Sequence, residues 1–254
     1  MKAFVLAAGV GSRMGVLTAT RPKALVEIGG KPLVYWVLTR LHLAGIQDVV
    51  INVHHHAGLL IAYLEKNQWE GMRIHISDER TLLLNTGGGL KQAAPWLAGP
   101  DPVLVHNVDI LTDINIPAML SQHLQSRALA TLAVRERPSA RQLLWDRNGQ
   151  LTGWRDIKNG QEKWVQGIEE CPTSLAFSGV HIISPAIFSM MPESKRFSII
   201  DLYLALAKNN LIQAYPHDAG IWMDIGTPAS WEKANQFLST PEGIRWQQMY
   251  LSRF

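Results

Sequence analysis

The sequence has few of the features that mark several large classes of protein. It has 254 residues but only one cysteine, Cys171, which excludes an intramolecular disulfide and a cysteine metal cage. No apolar run approaches the roughly 20 residues that a membrane-spanning helix needs. The opening MKAFVLAAGVGSRMG does not have the arrangement of a secretory signal. We therefore expect a cytoplasmic protein with no membrane partner.

Charge of either sign is also sparse. Charged residues make up 18% of the chain, the net charge is +3 with the histidines neutral, and no run of basic residues stands out. The aromatic residues are not interleaved with lysine and arginine, so we expect no nucleic-acid partner. A mild positive excess of this kind indicates small anionic ligands at least as readily as nucleic acid.

Short apolar runs and amphipathic segments alternate over residues 1–135. The runs AFVLAA at 3–8, DVVINV at 48–53 and PVLVH at 102–106 predict buried strands. A helix is predicted from Pro32 to Gly45, because proline suits a first helical position and glycine a helix end. The alternation is typical of an α/β, Rossmann-like fold with an open, mostly parallel sheet and helices on both faces.

The pattern changes after Arg135. The Asn148-Gly149 step predicts a β-hairpin, SLAFSGVHIIS at 174–184 predicts a strand, and a last strand is predicted near 211–215. We expect this part to add antiparallel strands to the sheet rather than to form an independent domain. The prediction is therefore a single domain with two halves, residues 1–135 and 136–240, and a tail, residues 241–254. The tail is expected either to pack on the domain or to form a dimer contact.

A glycine-rich loop, GVGSRMGVLTATRPK, follows the first strand directly. Glycines let backbone N–H groups approach a phosphate, and Arg13 and Lys23 add positive charge. A dinucleotide site is one alternative, but it needs a helix at once, whereas Pro22 interrupts and the predicted helix begins only at Pro32. An ordinary tight turn is the other. The loop is best interpreted as a phosphate site.

The segment LAAGVGSRMGVLTATRPKALVEIGGKP resembles the signature loop of sugar-1-phosphate nucleotidyltransferases, which runs G-x-G-S/T-R-L/M-x-P-x-T-x-x-x-P-K. The similarity continues in order to about residue 240. Within that family the chain is similar to the short bacterial N-acetylmuramate-1-phosphate uridylyltransferases, with mannose-1-phosphate guanylyltransferases as near relatives. Gly15 and Val16 depart from the pattern, replacing a variable residue and a proline, and we expect them to loosen the loop.

The resemblance implies a GT-A-like nucleotidyltransferase fold and a reaction between a nucleoside triphosphate, UTP or GTP, and a sugar 1-phosphate. The products are a nucleotide sugar and pyrophosphate, and the implied cofactor is Mg²⁺. Uridylyl transfer to N-acetylmuramate 1-phosphate, as in cell-wall recycling, is the expected reaction. Guanylyl transfer to mannose or heptose 1-phosphate, a non-catalytic nucleotide-sugar sensor and a nicotinamide-dependent oxidoreductase are the alternatives. The expected assembly is a monomer or homodimer.

The resemblance also assigns residues by their positions in the motifs, with residues 1–135 as the nucleotide-binding half and 136–240 as the sugar-binding half. It implies two catalytic residues, Arg13 and Lys23. It implies two metal ligands, Asp109 and Asp224, a carboxylate pair of the kind that magnesium accepts. The implied nucleotide-binding residues are Ala8, Gly9, Gly11, Ser12, Glu79, Asn85, Thr86, Gly87 and Gly88. The implied sugar-binding residues are Asn107, Arg141, Ser178 and Gly179.

Several of these assignments have structural alternatives. The glycines of NTGGG at 85–89 are expected to precede a helix that begins near Gly89 and to support a flat base, or else to form a flexible surface loop. Glu79 either pairs with a guanine edge or faces solvent. Gly179 either leaves room for the sugar or sits at a strand bulge, and Arg141 is either an anion contact or an exposed hairpin residue.

Overall fold

A computed structural model describes residues 1–67, 69–167 and 171–251. The strands are β1 (Lys2–Leu6), β2 (Glu27–Ile28), β3 (Lys31–Pro32), β4 (Asp48–Val53), β5 (Arg73–Asp78), β6 (Val103–Asn107), β7 (Ile110–Thr112), β8 (Ala130–Arg135), β9 (Arg141–Trp145), β10 (Leu151–Asp156), β11 (Gln161–Trp164), β12 (Thr173–Ile183), β13 (Ile212–Pro216) and β14 (Trp222–Asp224). The α-helices are α1 (Leu33–Leu43), α2 (Ala57–Lys66), α3 (Asn85–Leu97), α4 (Ile116–Ser126), α5 (Ile199–Leu206), α6 (Pro228–Leu238) and α7 (Pro241–Leu251).

The fold class is the predicted one, a mixed α/β fold in which a central, mostly parallel sheet is flanked by helices. The chain separates into two compact units that interleave along the sequence. The first contains residues 1–83, 106–113 and those from Ile221 onwards, and the second contains residues 84–105 and 114–220. The predicted halves are contiguous in sequence, and the single domain stays a prediction. Among the described residues, no helix combines the length and apolarity that crossing a membrane requires.

Parallel strands form the sheet of the first unit. β4 pairs in parallel with β1 and with β5, in the order β1-β4-β5. Val49 to Val53 are all buried in β4, which is the pattern of a strand covered on both faces. α1 begins directly after Pro32 and ends before Gly45, whose φ is +75°. The predicted strand at 48–53 and the predicted helix are therefore confirmed.

The C-terminal helices belong to the core of the first unit. Trp36 of α1 packs against Trp246 of α7 with ring centroids 5.4 Å apart, in a buried cluster that includes Ala234 and Leu238 of α6. Of the two roles left open for the tail, packing on its own chain is therefore confirmed for α7. The dimer contact stays a prediction, and residues 252–254 of the predicted tail lie outside the described residues.

The second unit is built largely from antiparallel pairs. β12 pairs antiparallel with β8 and β9, β10 pairs antiparallel with β9 and β11, and β13 pairs in parallel with β8. Gly149 in the β9–β10 turn has φ +76°, so the predicted hairpin and antiparallel additions are confirmed. The register of β12 against β8 shifts between Phe177 and His181, which opposes three residues of β12 to one of β8. This bulge contains Ser178 and Gly179.

Two predictions about the helices and strands are wrong, the start of α3 and the position of the last strand. Helix α3 begins at Asn85 rather than near Gly89, so the glycines lie inside its first turns. Helical glycine is unfavourable by itself, and packing against the neighbouring chain outweighs this local preference. The strand at Ile212–Pro216 is not the last one, because the three residues Trp222–Asp224 pair with β7. A three-residue strand is too short to show a periodic pattern.

Candidate active site

The glycine-rich loop closes on itself through Thr18. The Thr18 hydroxyl donates to the carbonyl of Gly11 at 3.0 Å and to that of Gly15 at 3.3 Å. Gly11 and Gly15 both have positive φ, +69° and +55°, a conformation in which side chains other than glycine are strained. Val16, at the departure from the family pattern, is 87% exposed. The loop is therefore a folded turn of 3₁₀ type over Ser12–Thr18, interrupted at Gly15.

A buried amide supports the base of this loop. Asn52, at the end of β4, accepts through Oδ1 from the N–H groups of Ala7, at 2.6 Å, and Ala8, at 3.1 Å. Its Nδ2 donates to Glu79 Oε1 at 2.6 Å. A carboxylate only accepts, so Glu79 fixes the amide with its oxygen towards the loop. Glu79 is 1% exposed, which makes the solvent-facing alternative wrong, and the Ala8 N–H is already used inside the protein.

The candidate catalytic lysine and one candidate metal ligand form a pair. Lys23 Nζ and Asp109 Oδ2 make an ion pair in which the lysine is nearly buried and the aspartate is partly exposed. Asp109 immediately precedes β7. Asp224, at the end of β14, pairs in register with Ile110, and the Ile225 N–H donates to the Asp109 carbonyl at 2.8 Å. The pairing of β7 with β14 therefore brings the backbones of the two aspartates, which are far apart in sequence, close together.

Gly226 allows Arg13 to come close to the same strands. A Cβ atom added at Gly226 would lie 2.7 Å from Asp224 Oδ1 and 3.0 Å from Arg13 Nη2. The guanidinium and the carboxylate therefore flank the same stretch of backbone. The first unit thus brings together all four charged residues predicted for phosphate and metal: Arg13, Lys23, Asp109 and Asp224.

This donor set fits a divalent cation completed by substrate oxygens. Magnesium typically takes one or two protein carboxylates and fills its remaining positions with water and phosphate. Asp224, at the end of β14, and Asp109, immediately before the paired strand β7, supply two carboxylates. Within the described ranges, no group of three or more histidine, cysteine or acidic residues could hold a metal without substrate. The pair suits a metal that arrives with a nucleotide.

A buried histidine precedes Asp109. Burial lowers the pKa of His106 to about 4, with a smaller contribution from the positive charge of Arg40. The ring is therefore neutral near pH 7. Its Nδ1 lies 2.8 Å from the carbonyl of Asn107, an acceptor, so Nδ1 carries the proton and donates. The Asn107 carbonyl, in a residue predicted to contact the sugar, is thus held by its neighbour.

The space beside two glycines of α3, in the second unit, is occupied by other parts of the protein. A Cβ atom at Gly87 would overlap the ring of Phe197, and one at Gly88 would overlap the carbonyl of Lys195. The N–H groups of both glycines also face the Phe197 carbonyl, at 3.0 and 3.3 Å. These amides therefore serve a protein contact, contrary to the expected surface for a base. The flexible-loop alternative is wrong as well.

Thr86 and Asn85, beside those glycines, differ from each other. The Thr86 hydroxyl accepts from the Ile199 N–H at 2.9 Å, which ties it to the start of α5. Asn85 is exposed and has φ +62°, a conformation that asparagine tolerates better than most residues. Of the residues predicted in this segment, Asn85 is the one whose side chain is presented to solvent.

The residues of the second unit that are predicted to contact the sugar differ in burial and in their hydrogen-bond partners. Ser178 is fully buried and hydrogen-bonded to His217 Nε2 at 2.6 Å. Gly179 lies at the β12 bulge with φ +75°, so the bulge interpretation of this glycine is confirmed. Arg141 is exposed, with its Nε 3.7 Å from Asp156 Oδ2, a distance at which a surface pair contributes little. Their contact with a sugar stays a prediction.

Sequence reasoning missed Asn52 and Gly226. The signal for Asn52 is a polar side chain inside the buried run DVVINV, which indicates a buried hydrogen-bonding role. Gly226 lies two residues after Asp224 and has no local sequence signal of its own. Its importance depends on contacts with Arg13, which no local pattern shows.

The strand β1, the glycine-rich turn after it, the Lys23–Asp109 pair and Asp224 define a class of α/β protein in which charged groups that suit a phosphate-bearing ligand lie in one unit. The chain matches the family model described as nucleotidyl transferase over residues 2–240. The chain therefore belongs to the nucleotidyl transferase family, and it is a sugar-1-phosphate nucleotidyltransferase.

Similar proteins agree with this assignment. The chain is 36% identical over 234 residues to the N-acetylmuramate alpha-1-phosphate uridylyltransferase of Caulobacter vibrioides, covering 89% of this chain and 92% of that protein. It is 30% identical to the mannose-1-phosphate guanyltransferase of Debaryomyces hansenii, covering 90% of this chain but 62% of that protein. A UDP-glucose pyrophosphorylase structure from Acinetobacter baumanii superimposes with a TM-score of 0.78 at 18% identity, covering 99% of this chain and 98% of that one. The last similarity concerns the fold alone.

Proposed function

We propose that the chain transfers a uridylyl group from UTP to N-acetylmuramate 1-phosphate, forming the nucleotide sugar and pyrophosphate. The observation that carries this proposal is the 36% identity to a uridylyltransferase of that name over nearly the whole of both chains. The charged residues of the first unit supply the chemistry that the reaction needs. Guanylyl transfer to mannose 1-phosphate is the second candidate. It is supported by the 30% identity to a guanyltransferase, which is lower than the identity to the uridylyltransferase.

The reaction is an in-line displacement at phosphorus. A phosphate oxygen of the sugar 1-phosphate forms a bond to the α-phosphorus of the triphosphate, and the bond from that phosphorus to the bridging oxygen of the β-phosphate breaks. Pyrophosphate leaves with the electron pair. The nucleophile is already an anion, so no general base is required, and the protein contributes position and charge neutralisation.

The first unit carries the phosphate chemistry in this proposal. Gly9 and Gly11 let the loop backbone approach the departing phosphates, and Arg13 neutralises the charge that develops on them. Lys23 binds between the α-phosphate and the sugar phosphate. Its ion pair with Asp109 holds the ammonium group in place before the substrates arrive.

Asp109 and Asp224 are the residues that would hold Mg²⁺. When bound, the cation neutralises negative charge on the phosphate oxygens of the triphosphate. The contribution of the chain is the spacing of the two carboxylates, which the β7–β14 pairing fixes, and the lysine beside one of them. Asn52 and Glu79 act one step away, by fixing the peptides of Ala7 and Ala8 at the base of the loop.

The candidate residues for recognition of the base and the sugar belong to the second unit. Asn85 is the candidate for the nucleotide, because its side chain is exposed while the amides of Gly87 and Gly88 face Phe197. The segment with Ser178 and Gly179 is the candidate for the sugar. We place the reaction in the cytoplasm, where nucleoside triphosphates are available.

Pyrophosphate release tests the proposal. The purified chain is incubated with Mg²⁺, each nucleoside triphosphate in turn, and N-acetylmuramate, N-acetylglucosamine, mannose, heptose and glucose 1-phosphates. We expect release with UTP and N-acetylmuramate 1-phosphate to exceed that of every other pair. Release with GTP and mannose 1-phosphate alone would replace the proposal with the second candidate. Binding of a nucleotide sugar without any release would favour the sensor.

A further inference from the structure

A polar cavity of about 630 Å³ opens in the second unit beside the candidate sugar segment. It lies where β8 ends, and its walls include two arginines, two acidic residues and two neutral polar residues. The members used below are Arg135, Glu136, Arg137, Gln142, Ser174 and Asp218. We call it the arginine pocket. Apart from its place next to β12, it is not part of the site described above.

Both arginines donate hydrogen bonds to backbone carbonyls. Arg135 Nη2 donates to the carbonyls of Asp218, at 2.6 Å, and Gly220, at 3.2 Å. Arg137 Nη2 donates to the carbonyl of Phe177 at 3.0 Å. Carbonyl oxygens orient a guanidinium without cancelling its charge. In the part of the chain that the structure describes, no carboxylate oxygen lies within 4.0 Å of the Arg135 nitrogens.

The pocket adjoins the sugar segment through the backbone. The Phe177 carbonyl that accepts from Arg137 immediately precedes Ser178 and Gly179 in the chain. Ala176 pairs in register with Arg135, and Phe177 pairs with Val134. The strand that delivers the predicted sugar residues is therefore the strand that borders the arginines.

The acidic residues of the wall limit the kind of ligand. Asp218 Oδ1 accepts from the Glu136 N–H at 2.7 Å, and both side chains are exposed. Two arginines and two carboxylates give the wall no net charge, so the wall does not favour a polyanion, and a carboxylate is bound there through the directed N–H groups of a guanidinium. The carboxylates can accept from sugar hydroxyls, while the planar fork of a guanidinium matches a carboxylate.

We propose that the arginine pocket binds a carboxylate carried by the sugar, so that the enzyme selects acidic sugar 1-phosphates over neutral ones. Arg135 and Arg137 bind the carboxylate, and Gln142 and Ser174 contribute neutral hydrogen bonds. This inference rests on the proposed function and deepens it, because N-acetylmuramate differs from N-acetylglucosamine by a lactyl ether that ends in a carboxylate. The assigned residues determine specificity and take no part in the chemical step.

The test compares the two sugar 1-phosphates with UTP and Mg²⁺. The wild-type chain is expected to show a higher kcat/KM with N-acetylmuramate 1-phosphate than with N-acetylglucosamine 1-phosphate. Arg135→Gln and Arg137→Gln are each expected to lower that ratio by about 10- to 100-fold, mainly through the KM of the acidic sugar. Arg137→Lys keeps the charge but loses the fork, so an intermediate ratio is expected.

Arg147→Gln is the matched control, because Arg147 is an exposed arginine of the same unit in the β9–β10 turn. Its ratio should equal that of the wild type. Should Arg137→Gln fail to fold, Arg135→Gln and Arg137→Lys give the same comparison. An unchanged ratio in the folded arginine variants of an active enzyme would overturn the inference and leave the proposed function intact. A wild-type chain without uridylyl transfer would instead overturn the proposed function.

Discussion

The two glycine-rich segments of this chain look alike in sequence and differ in structure. A Cβ atom added at Gly9, in the loop after β1, would meet nothing within 4 Å. At Gly87 and Gly88, in the first turns of α3, it would overlap Phe197 and Lys195. The first segment is open at Gly9 and Gly15, although a Cβ atom at Gly11 would lie 3.0 Å from Thr18 Cγ2, and the second segment is filled by protein. Glycine leaves room for a ligand in one case and for the neighbouring chain in the other.

This difference indicates that the first segment serves the reaction and that the second stabilises the fold. The open loop lies in the unit that also holds the lysine–aspartate pair and the second aspartate. The filled segment anchors α3 to the start of α5 through the Phe197 carbonyl and the Thr86 hydroxyl. Changes in the first segment should therefore alter turnover, whereas changes in the second should alter folding.

The largest effect is expected at Asp109. Asp109→Asn keeps the shape of the side chain but removes the charge that holds the metal and pairs with Lys23. We expect kcat to fall by about 10²-fold or more, the scale for loss of one preorganised charge-stabilising group. Steady-state kinetics of pyrophosphate release measure it. Asp101→Asn, at an exposed position, is the control and should keep wild-type turnover; near-normal turnover of Asp109→Asn would remove Asp109 from the mechanism.

The second effect tests the filled segment. Gly88→Ala places a methyl group against the backbone carbonyl of Lys195, so we expect a loss of about 2–3 kcal/mol in the free energy of unfolding. Urea unfolding measures it. Gly58→Ala, in α2, is the control, because its Cβ would meet nothing within 4 Å, and it should be as stable as the wild type or more so. Equal stability of the two variants would contradict the packing role.

The smallest effect concerns a buried histidine of the second unit. Burial lowers the pKa of His123 to about 4, and its ring lies between Thr131 Oγ1 and Ser184 Oγ at 2.9 and 3.1 Å. A base with a lowered folded-state pKa contributes full stability above its unfolded value, near 6.5, and loses it as pH falls towards 4. Between pH 7 and pH 5 we expect the titration of His123 to lower the free energy of unfolding by about 1–2 kcal/mol.

Comparison with a variant that lacks the histidine separates this contribution from those of other titrating groups. The free energy of unfolding is measured at pH 7 and pH 5 for the wild type and for His123→Gln. The variant should lose less stability than the wild type across that interval. An equal loss in both proteins would show that His123 does not carry the pH dependence.

Much of the fold could be predicted because local patterns and packing agree. The largely apolar run of β4, the proline directly before α1 and the Asn148-Gly149 turn are each visible in a few residues. The start of α3 was misplaced, because three consecutive glycines disfavour a helix locally and only contacts with residues 195–199 stabilise one there. Strand β14 was missed because it has three residues.

The candidate site divides in the same way. Arg13, Lys23, Asp109 and Asp224 could be named from motifs, and the structure gathers them within one unit. The hydrogen bonds of Asn52 with Ala7, Ala8 and Glu79 could not, because they join segments 27 to 45 residues apart. The partner of a buried amide is set by the tertiary fold, and no local spacing encodes it.

The most direct test of the account is the turnover and stability of Gly9→Ala. The added methyl group meets no protein atom within 4 Å, so we expect the free energy of unfolding to stay within about 0.5 kcal/mol of wild type. If triphosphate occupies that space, kcat/KM for UTP should fall by about 10-fold or more. A Gly9→Ala protein with wild-type stability and wild-type kcat/KM would contradict the claim that the loop was left open for phosphate.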